Sequence, residues 1–146
     1  VHLLRTLMGP VEEVCAAIGN ASGIYSQVDD HGMAMMRFAS GVLGTVEASW
    51  IQTGGFRGLE IVGSEGTLYD NAQSGYVVAA PGKDPESVAQ GESRPATVER
   101  LIAAIEGRLS SAEIEADLRC AADAVAIMEA SYESSRRGGW VDVPKI

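Results

Sequence analysis

Groups that could take part in chemistry are concentrated in the first half of the sequence. Asp29, Asp30 and His31 are consecutive and carry side chains of the kinds that bind metal ions. Adjacent residues of an extended segment point to opposite faces, so the three side chains cannot converge on one ion. We therefore expect these residues to lie in the loop that leads into a hairpin, and we assign no metal site.

A second candidate is the glycine-rich run 54–58, GGFRG. Arg57 in this run could contact an anionic or hydroxylated substrate from a mobile loop, because a guanidinium presents several N–H donors in a planar fork. The alternative is a flexible connection between two strands. Cys15 and Cys120 are far apart in the sequence and have no neighbouring base, so we assign no catalytic residue within the chain.

Composition bounds the class of protein and its partners. The chain has 146 residues, of which 46% are hydrophobic and 21% are charged, as expected for a single globular domain spanning 1–146. Its net charge of −9 would repel phosphate backbones and anionic lipids, which argues against nucleic-acid and membrane partners. The two unpaired cysteines favour a reducing, cytoplasmic location.

Hydrophobic periodicity predicts helices at both ends of the chain and short strands between them. The strands are separated by turn residues, and the segment 81–96 is predicted to be a solvated loop. A helix from 110 begins with Ser110 and Glu113 in the spacing of a capping box. The predicted helices are 2–8, 97–106 and 110–137, and the predicted strands are 11–18, 32–38, 42–51, 58–62, 66–69 and 76–80. These elements indicate an α+β fold with an open-faced, largely antiparallel sheet and helices packed on one face.

Two faces can be assigned from the same patterns. In the strand 42–51, alternation places Trp50 on the buried face with Val42, Gly44, Val46 and Ala48. Trp50 and Phe38 are therefore expected beneath the C-terminal helices. The open face is predicted to carry Leu43, Thr45, Glu47, Ser49 and Ile51. In the long helix the predicted buried stripe is Ile114, Leu118, Ala121, Ala122, Val125, Met128 and Tyr132.

Three stretches, taken in order, resemble the C-terminal domain of the glucose–fructose oxidoreductase and inositol dehydrogenase family, called the Gfo/Idh/MocA family. The first is a hairpin at 37–50, RFASGVLGTVEASW, and the second is a strand pair at 59–68, LEIVGSEGTL. The third is a helix end followed by a short strand at 130–141, ASYESSRRGGWV. Each motif alone contains only residues that are common in turns and packed strands. The order and spacing of the three motifs together are characteristic of the family.

The resemblance implies an N-terminal Rossmann domain that binds NAD or NADP, which is not found in these residues. The runs 41–44 (GVLG) and 63–66 (GSEG) lack the third glycine and the helix start of a dinucleotide-binding loop. The chain also begins with Val1 in helical periodicity, so we expect an N-terminally truncated fragment of a longer parent. The fragment by itself is expected to bind no cofactor and to be non-catalytic.

The family pattern at the domain junction, D-x-G-x-H-x-x-D-l-l-r-x-l-x-G, bears on His2. Aligning Leu3, Leu4, Arg5 and Gly9 with this pattern places His2 at the final acidic position, where it could contact substrate. The catalytic Asp and His of the family would then precede Val1. An alternative alignment makes His2 the catalytic base but requires a three-residue deletion within a helix.

The resemblance therefore implies the substrate-binding and oligomerisation half of an NAD(P)-dependent oxidoreductase acting on a sugar, polyol or related hydroxy compound. His2 and Arg57 are the expected substrate contacts. The open sheet face is expected to join subunits into a homo-oligomer. The alternative is a stand-alone, non-catalytic binding or assembly module.

Overall fold

The computed structural model describes residues 1–55, 58–89, 91 and 95–146. In chain order the helices are α1 (His2–Met8), α2 (Thr97–Ile105) and α3 (Ser111–Arg137). The strands are β1 (Val11–Gly19), β2 (His31–Phe38), β3 (Leu43–Ser49), β4 (Glu60–Val62), β5 (Thr67–Asn71), β6 (Gly75–Ala79), β7 (Glu86–Ser87) and β8 (Val141–Asp142). None of the described helices combines the length and the apolar character needed to span a bilayer.

The chain folds into two compact units, each built around its own antiparallel sheet. The first unit comprises residues 1–52 and 101–146, with strand order β3-β2-β1-β8. The second comprises residues 53–100, with strand order β4-β5-β6-β7. The α+β class is confirmed, but the expected single sheet is in fact two. Gly55 and Gly58, at φ 111° and 138°, adopt positive φ angles that strands do not use, so strand geometry stops between β3 and β4.

The core of the first unit lies between α3 and one face of its sheet. Side chains of β2 alternate between the two faces: Ala34, Met36 and Phe38 are buried, whereas Met33 and Met35 between them are exposed. The buried β2 side chains contact Val11 and Val14 of β1 and Ile127 and Ala130 of α3. Large residues at 36 and 38 thus fill one end of the interface, while Gly32 and Ala34 leave more space at the other.

Two serines at the end of α3 bind the main chain of β1. On the edge of β1 that faces β8, strand pairing involves Glu13 and Val14 alone. The N–H groups farther along this edge therefore need other partners. Ala16 N–H donates to Ser134 Oγ at 2.8 Å, and Ile18 N–H donates to Ser135 Oγ at 2.9 Å. The Ser134 hydroxyl also donates to the carbonyl of Gly139 at 2.5 Å, which fixes the turn after α3.

The buried face of α3 differs from the predicted stripe. The predicted members Leu118, Val125, Met128 and Tyr132 are all exposed, and Leu118 retains 66% of its accessible area. The buried positions are instead mostly small residues: Ala124, Ala126, Ile127, Ala130, Ser131 and Ser134. Small side chains let the helix approach β1 closely enough for the serine hydrogen bonds, and this outweighs burial of the larger apolar residues.

The predicted ends of α3 are confirmed. Ser110 and Glu113 form a reciprocal capping box, in which each side chain accepts from the other residue's main-chain N–H. The helix ends at Gly138, whose φ of 78° and ψ of 46° are the left-handed conformation that glycine adopts readily. Main-chain capping chemistry is local, which is why the sequence predicted it well.

The assignment of Trp50 to the core is wrong, whereas that of Phe38 to a buried position is confirmed. Phe38 is 1% exposed and Trp50 is 51% exposed. The strand β3 ends at Ser49, so alternation no longer sets the direction of the next side chain. Leu43, Thr45 and Glu47 are exposed as predicted for the open face, but Ser49 and Ile51 are half-buried.

Candidate functional site

The candidate site is a cavity of about 440 Å³ within the first unit, between α3 and the sheet. Its sheet side includes the small residues Gly32, Ala34 and Ala48, and its helix side includes Met128 and Tyr132. These sheet residues share the face of β2 and β3 that buries Met36 and Phe38 farther along. The cavity therefore arises because small residues follow large ones along the same face of the sheet.

Asp29 connects the two aromatic side chains that line this cavity. The Tyr132 hydroxyl donates to Asp29 Oδ1 at 3.0 Å, and Trp50 Nε1 donates to the Asp29 carbonyl, also at 3.0 Å. Tyr25 supports the indole of Trp50, with ring centroids 5.7 Å apart and an interplanar angle of 39°. The Asp29 hydrogen bond, together with partial burial and the carboxylate charge, raises the pKa of Tyr132. The phenol therefore stays protonated and remains a donor.

Asp30 is fully buried next to the cavity and organises the loop before β2. Its carboxylate accepts from the main-chain N–H groups of Ala21 and Ser22 at 2.8 and 2.7 Å, and from His31 Nδ1 at 2.8 Å. Burial alone would raise the pKa of Asp30, but the hydrogen bonds from His31, Ser22 and Ala21 outweigh it, and the pKa lies well below its ordinary value. Asp30 is therefore an ionised structural anchor.

The arrangement around Asp30 also defines the tautomer of His31. Because the carboxylate accepts, Nδ1 of His31 carries the proton in this pair, and Nε2 is the remaining polar atom of the ring. Within the described part of the chain, no three His, Cys, Asp or Glu side chains are grouped as metal ligands would be. Asp29 and Asp30 lie in the loop that leads into the β2–β3 hairpin, as the sequence predicted, whereas His31 is the first residue of β2.

Of the two residues predicted to contact substrate, the structure describes only His2, which does not line this cavity. His2 is the exposed first residue of α1, and its carbonyl accepts from the Thr6 hydroxyl at 2.9 Å. Its neighbour Val1 lines the cavity, but His2 does not. Arg57 lies outside the described residues. The role of each in substrate binding remains a prediction.

Sequence reasoning missed the Asp29, Trp50 and Tyr132 cluster. Asp29 was placed in a loop, while both aromatic residues were assigned to buried faces. One signal was available, since the closing helix carries Tyr132 among small residues that pack better against a sheet. Asp29 and Tyr132, but not Trp50, also line a second, smaller cavity of about 290 Å³.

Comparisons with known proteins identify the domain. Residues 1–69 match the sequence model of the GFO/IDH/MocA C-terminal domain. This part of the chain is similar to the GFO/IDH/MocA C-terminal domain. Residues 1–69 cover α1, the first three strands and the β4–β5 pair as far as Tyr69, and so include the Asp29–Asp30–His31 loop and Trp50. A search of curated proteins gave no match.

Solved structures of oxidoreductases share the fold across almost the whole chain. Levoglucosan dehydrogenase in complex with NADH and L-sorbose is 26% identical, with a TM-score of 0.73, covering 99% of this chain and 48% of that protein. The WlbA dehydrogenase from Bordetella pertussis, with NADH and UDP-GlcNAcA, is 21% identical, with a TM-score of 0.67 and coverage of 98% and 42%.

A third match is an oxidoreductase from Agrobacterium radiobacter in complex with NAD+, L-tartaric acid and magnesium. It is 18% identical, with a TM-score of 0.68 and coverage of 97% of this chain and 46% of that one. The last two structures show a common fold only. The chain spans about half the length of the solved structures that it matches.

Proposed function

We propose that this chain is the substrate-facing and oligomerisation half of a cytoplasmic NAD(P)-dependent oxidoreductase that acts on a sugar, polyol or related hydroxy compound. The observation that carries the proposal is the match of 99% of the chain to about half of levoglucosan dehydrogenase. The cavity beside α3 supports it, because a largely apolar pocket with a few fixed polar groups is typical of small-molecule sites.

We expect the described residues to form no dinucleotide site of their own. In dinucleotide-binding domains, a glycine-rich loop follows a strand and opens a helix, whose N-terminal N–H groups bind the pyrophosphate. Here Gly41 and Gly44 lie in the β2–β3 hairpin, and Gly63 and Gly66 lie in the turn between β4 and β5, so neither pair precedes a helix. NAD or NADP would be bound by the other half of the parent protein.

The chain would contribute substrate contacts and one wall of the substrate pocket to the complete enzyme. The Tyr132 hydroxyl and the Asp29 carboxylate are already hydrogen-bonded to each other and lie at the cavity surface. A substrate hydroxyl can accept from one and donate to the other, which would orient the carbon that bears it. His2 and Arg57 remain proposed substrate contacts on the basis of the family pattern and the loop composition.

The open face of the first sheet is the proposed subunit interface. Met33 and Met35 are exposed, and strand pairing places them opposite Glu47 and Thr45 on β3. Arg37 on the same face forms an ion pair with Glu13 and lies 4.8 Å from the Trp140 ring centroid. The apolar area with locally paired charge fits self-association through a two-fold axis despite the net charge of −9.

Two measurements test this proposal. Joined to the dinucleotide-binding half of its parent protein, the chain should support reduction of NAD+ or NADP+ by a panel of sugars and polyols, followed as absorbance at 340 nm. The chain alone should not bind NADH saturably in a nicotinamide fluorescence titration up to millimolar concentrations. Polyol binding without dehydrogenase activity in the complete protein would support a stand-alone binding module instead.

A further inference from the structure

Two carboxylates line the main cavity, and the histidine that lines it with them is paired with one of the two. Of the described residues that line it, Asp29 and Asp30 are acidic and none is Lys or Arg. The Asp29 carboxylate accepts from the neutral Tyr132 hydroxyl, and Asp30 is held ionised by the hydrogen bonds already described. A negatively charged ligand would therefore approach the Asp29 carboxylate with no lysine or arginine among the described lining residues to pair with.

The cavity also presents flat aromatic surface to the solvent. Trp50 and Tyr132 are 51% and 44% exposed, although both line the cavity and both are fixed by hydrogen bonds to Asp29. Tyr25 contacts the indole but does not line the cavity, so it supports the ring from outside. An indole with an exposed area and a fixed orientation is a preformed surface for an apolar ligand face.

A saccharide ring has the surfaces that this geometry would recognise. Its C–H groups form an apolar face that is attracted to the negative face of an aromatic ring, and its hydroxyls at the edge donate to carboxylates. The cavity volume of about 440 Å³ lies within the range of small-ligand pockets. The fold does not decide the charge of the ligand, since solved structures that share it contain both L-sorbose and L-tartaric acid.

We propose that the main cavity binds an uncharged sugar or polyol stacked on Trp50, and that Asp29 excludes phosphorylated and carboxylated sugars. This inference rests on the proposed function for the substrate class, hydroxy compounds, and adds the binding surface and the selection against anions. Asp29 is the specificity-determining residue because it holds both aromatic rings, Trp50 through its main-chain carbonyl and Tyr132 through the charged carboxylate.

The full chain allows a direct optical test. It contains two tryptophans, so Trp140→Phe leaves Trp50 as the only one and preserves an aromatic ring beside Arg37. Levoglucosan and L-sorbose, titrated against this variant, should change the Trp50 emission saturably, with a Kd on the order of millimolar, the weak end of specific binding. D-glucuronate and glucose 6-phosphate should bind at least about tenfold more weakly.

Asp29→Asn separates the charge from the hydrogen bonds. The amide oxygen of Asn can still accept from Tyr132, and the main-chain carbonyl that accepts from Trp50 is unchanged. The variant should bind the anionic sugars more tightly than wild type does. The ratio of the Kd for anionic sugars to the Kd for neutral sugars should therefore become smaller. Glu12→Gln removes the same charge from an exposed residue at the opposite end of β1 and should leave the selectivity unchanged.

The outcomes distinguish this inference from the proposed function. Equal affinity for neutral and anionic sugars, or no saturable Trp50 response to either neutral sugar, would overturn the inference. If saturation-transfer NMR detects sugar binding while Trp50 emission stays constant, the ligand occupies another place and the inference is equally wrong. Dehydrogenase activity of the complete protein on an anionic sugar alone would also refute it, yet would leave the proposed function standing.

Discussion

The hydroxyl of Ser134 is expected to be worth more to stability than that of any other serine in α3. It accepts from Ala16 N–H and donates to the Gly139 carbonyl, and the side chain is 0% exposed. Ser134→Ala leaves both main-chain groups without this partner. An orphaned buried group costs about 1–3 kcal/mol, and Gly139 is half-buried, so we expect a total loss of about 2–3 kcal/mol.

Ser131→Ala is the matched control in the same helix. Ser131 is also buried, but its hydroxyl donates to the Ile127 carbonyl at 2.7 Å, a group whose regular helical partner remains after the substitution. We expect a change within about 0.5 kcal/mol, and both variants share the small gain in helix propensity from Ser to Ala. The contrast therefore isolates the helix-to-strand hydrogen bonds.

Urea unfolding followed by far-UV circular dichroism would measure the two free energies of unfolding, provided that the m-values agree with wild type. Amide hydrogen exchange adds a local measurement, since Ala16 N–H should exchange faster in Ser134→Ala but not in Ser131→Ala. Equal losses of stability in the two variants, with unchanged protection of Ala16, would refute the argument that Ser134 secures α3 to β1.

Three further predictions concern the core, the loop and the open face. Phe38→Ala should lower the free energy of unfolding by about 3–5 kcal/mol in a denaturant titration. Trp50→Ala should lower it by about 1–2 kcal/mol, because half of the Trp50 surface is exposed. Similar losses in the two variants would contradict the burial assigned to these side chains. The pKa of Asp30 in the folded chain lies below its ordinary value of 3.8, so the unfolded chain takes up the proton first as the pH falls. The stabilisation from ionised Asp30 is therefore complete above pH 3.8 and is lost at lower pH. In Asp30→Asn, the free energy of unfolding should fall less steeply with acid than in wild type. Thr45→Glu should weaken self-association in sedimentation velocity without altering the circular dichroism spectrum, and a wild-type chain that stays monomeric at high concentration would contradict the interface.

Local chemistry explains which parts of the fold could be predicted. The capping box of α3 and its glycine stop depend on residues close in sequence, and both are confirmed. The buried face of α3 could not be predicted by hydrophobicity, because the helix faces the main chain of β1 rather than a set of large side chains. Hydrogen bonds from Ser134 and Ser135 require close approach, so alanine and serine face inward while Leu118 and Val125 remain exposed.

The candidate site likewise combines features that residues close in sequence determine with features that only tertiary packing determines. The sequence by itself determined the α+β class, the family resemblance and the loop at residues 29 and 30, because turn residues and strand periods are read over short spans. Only the tertiary structure decided that Asp29, Trp50 and Tyr132 meet around one cavity. They come from a loop, the end of a hairpin and a distant helix, and their contact depends on how α3 lies against β1. No periodicity encodes that placement, since it is set by packing between elements far apart in the chain.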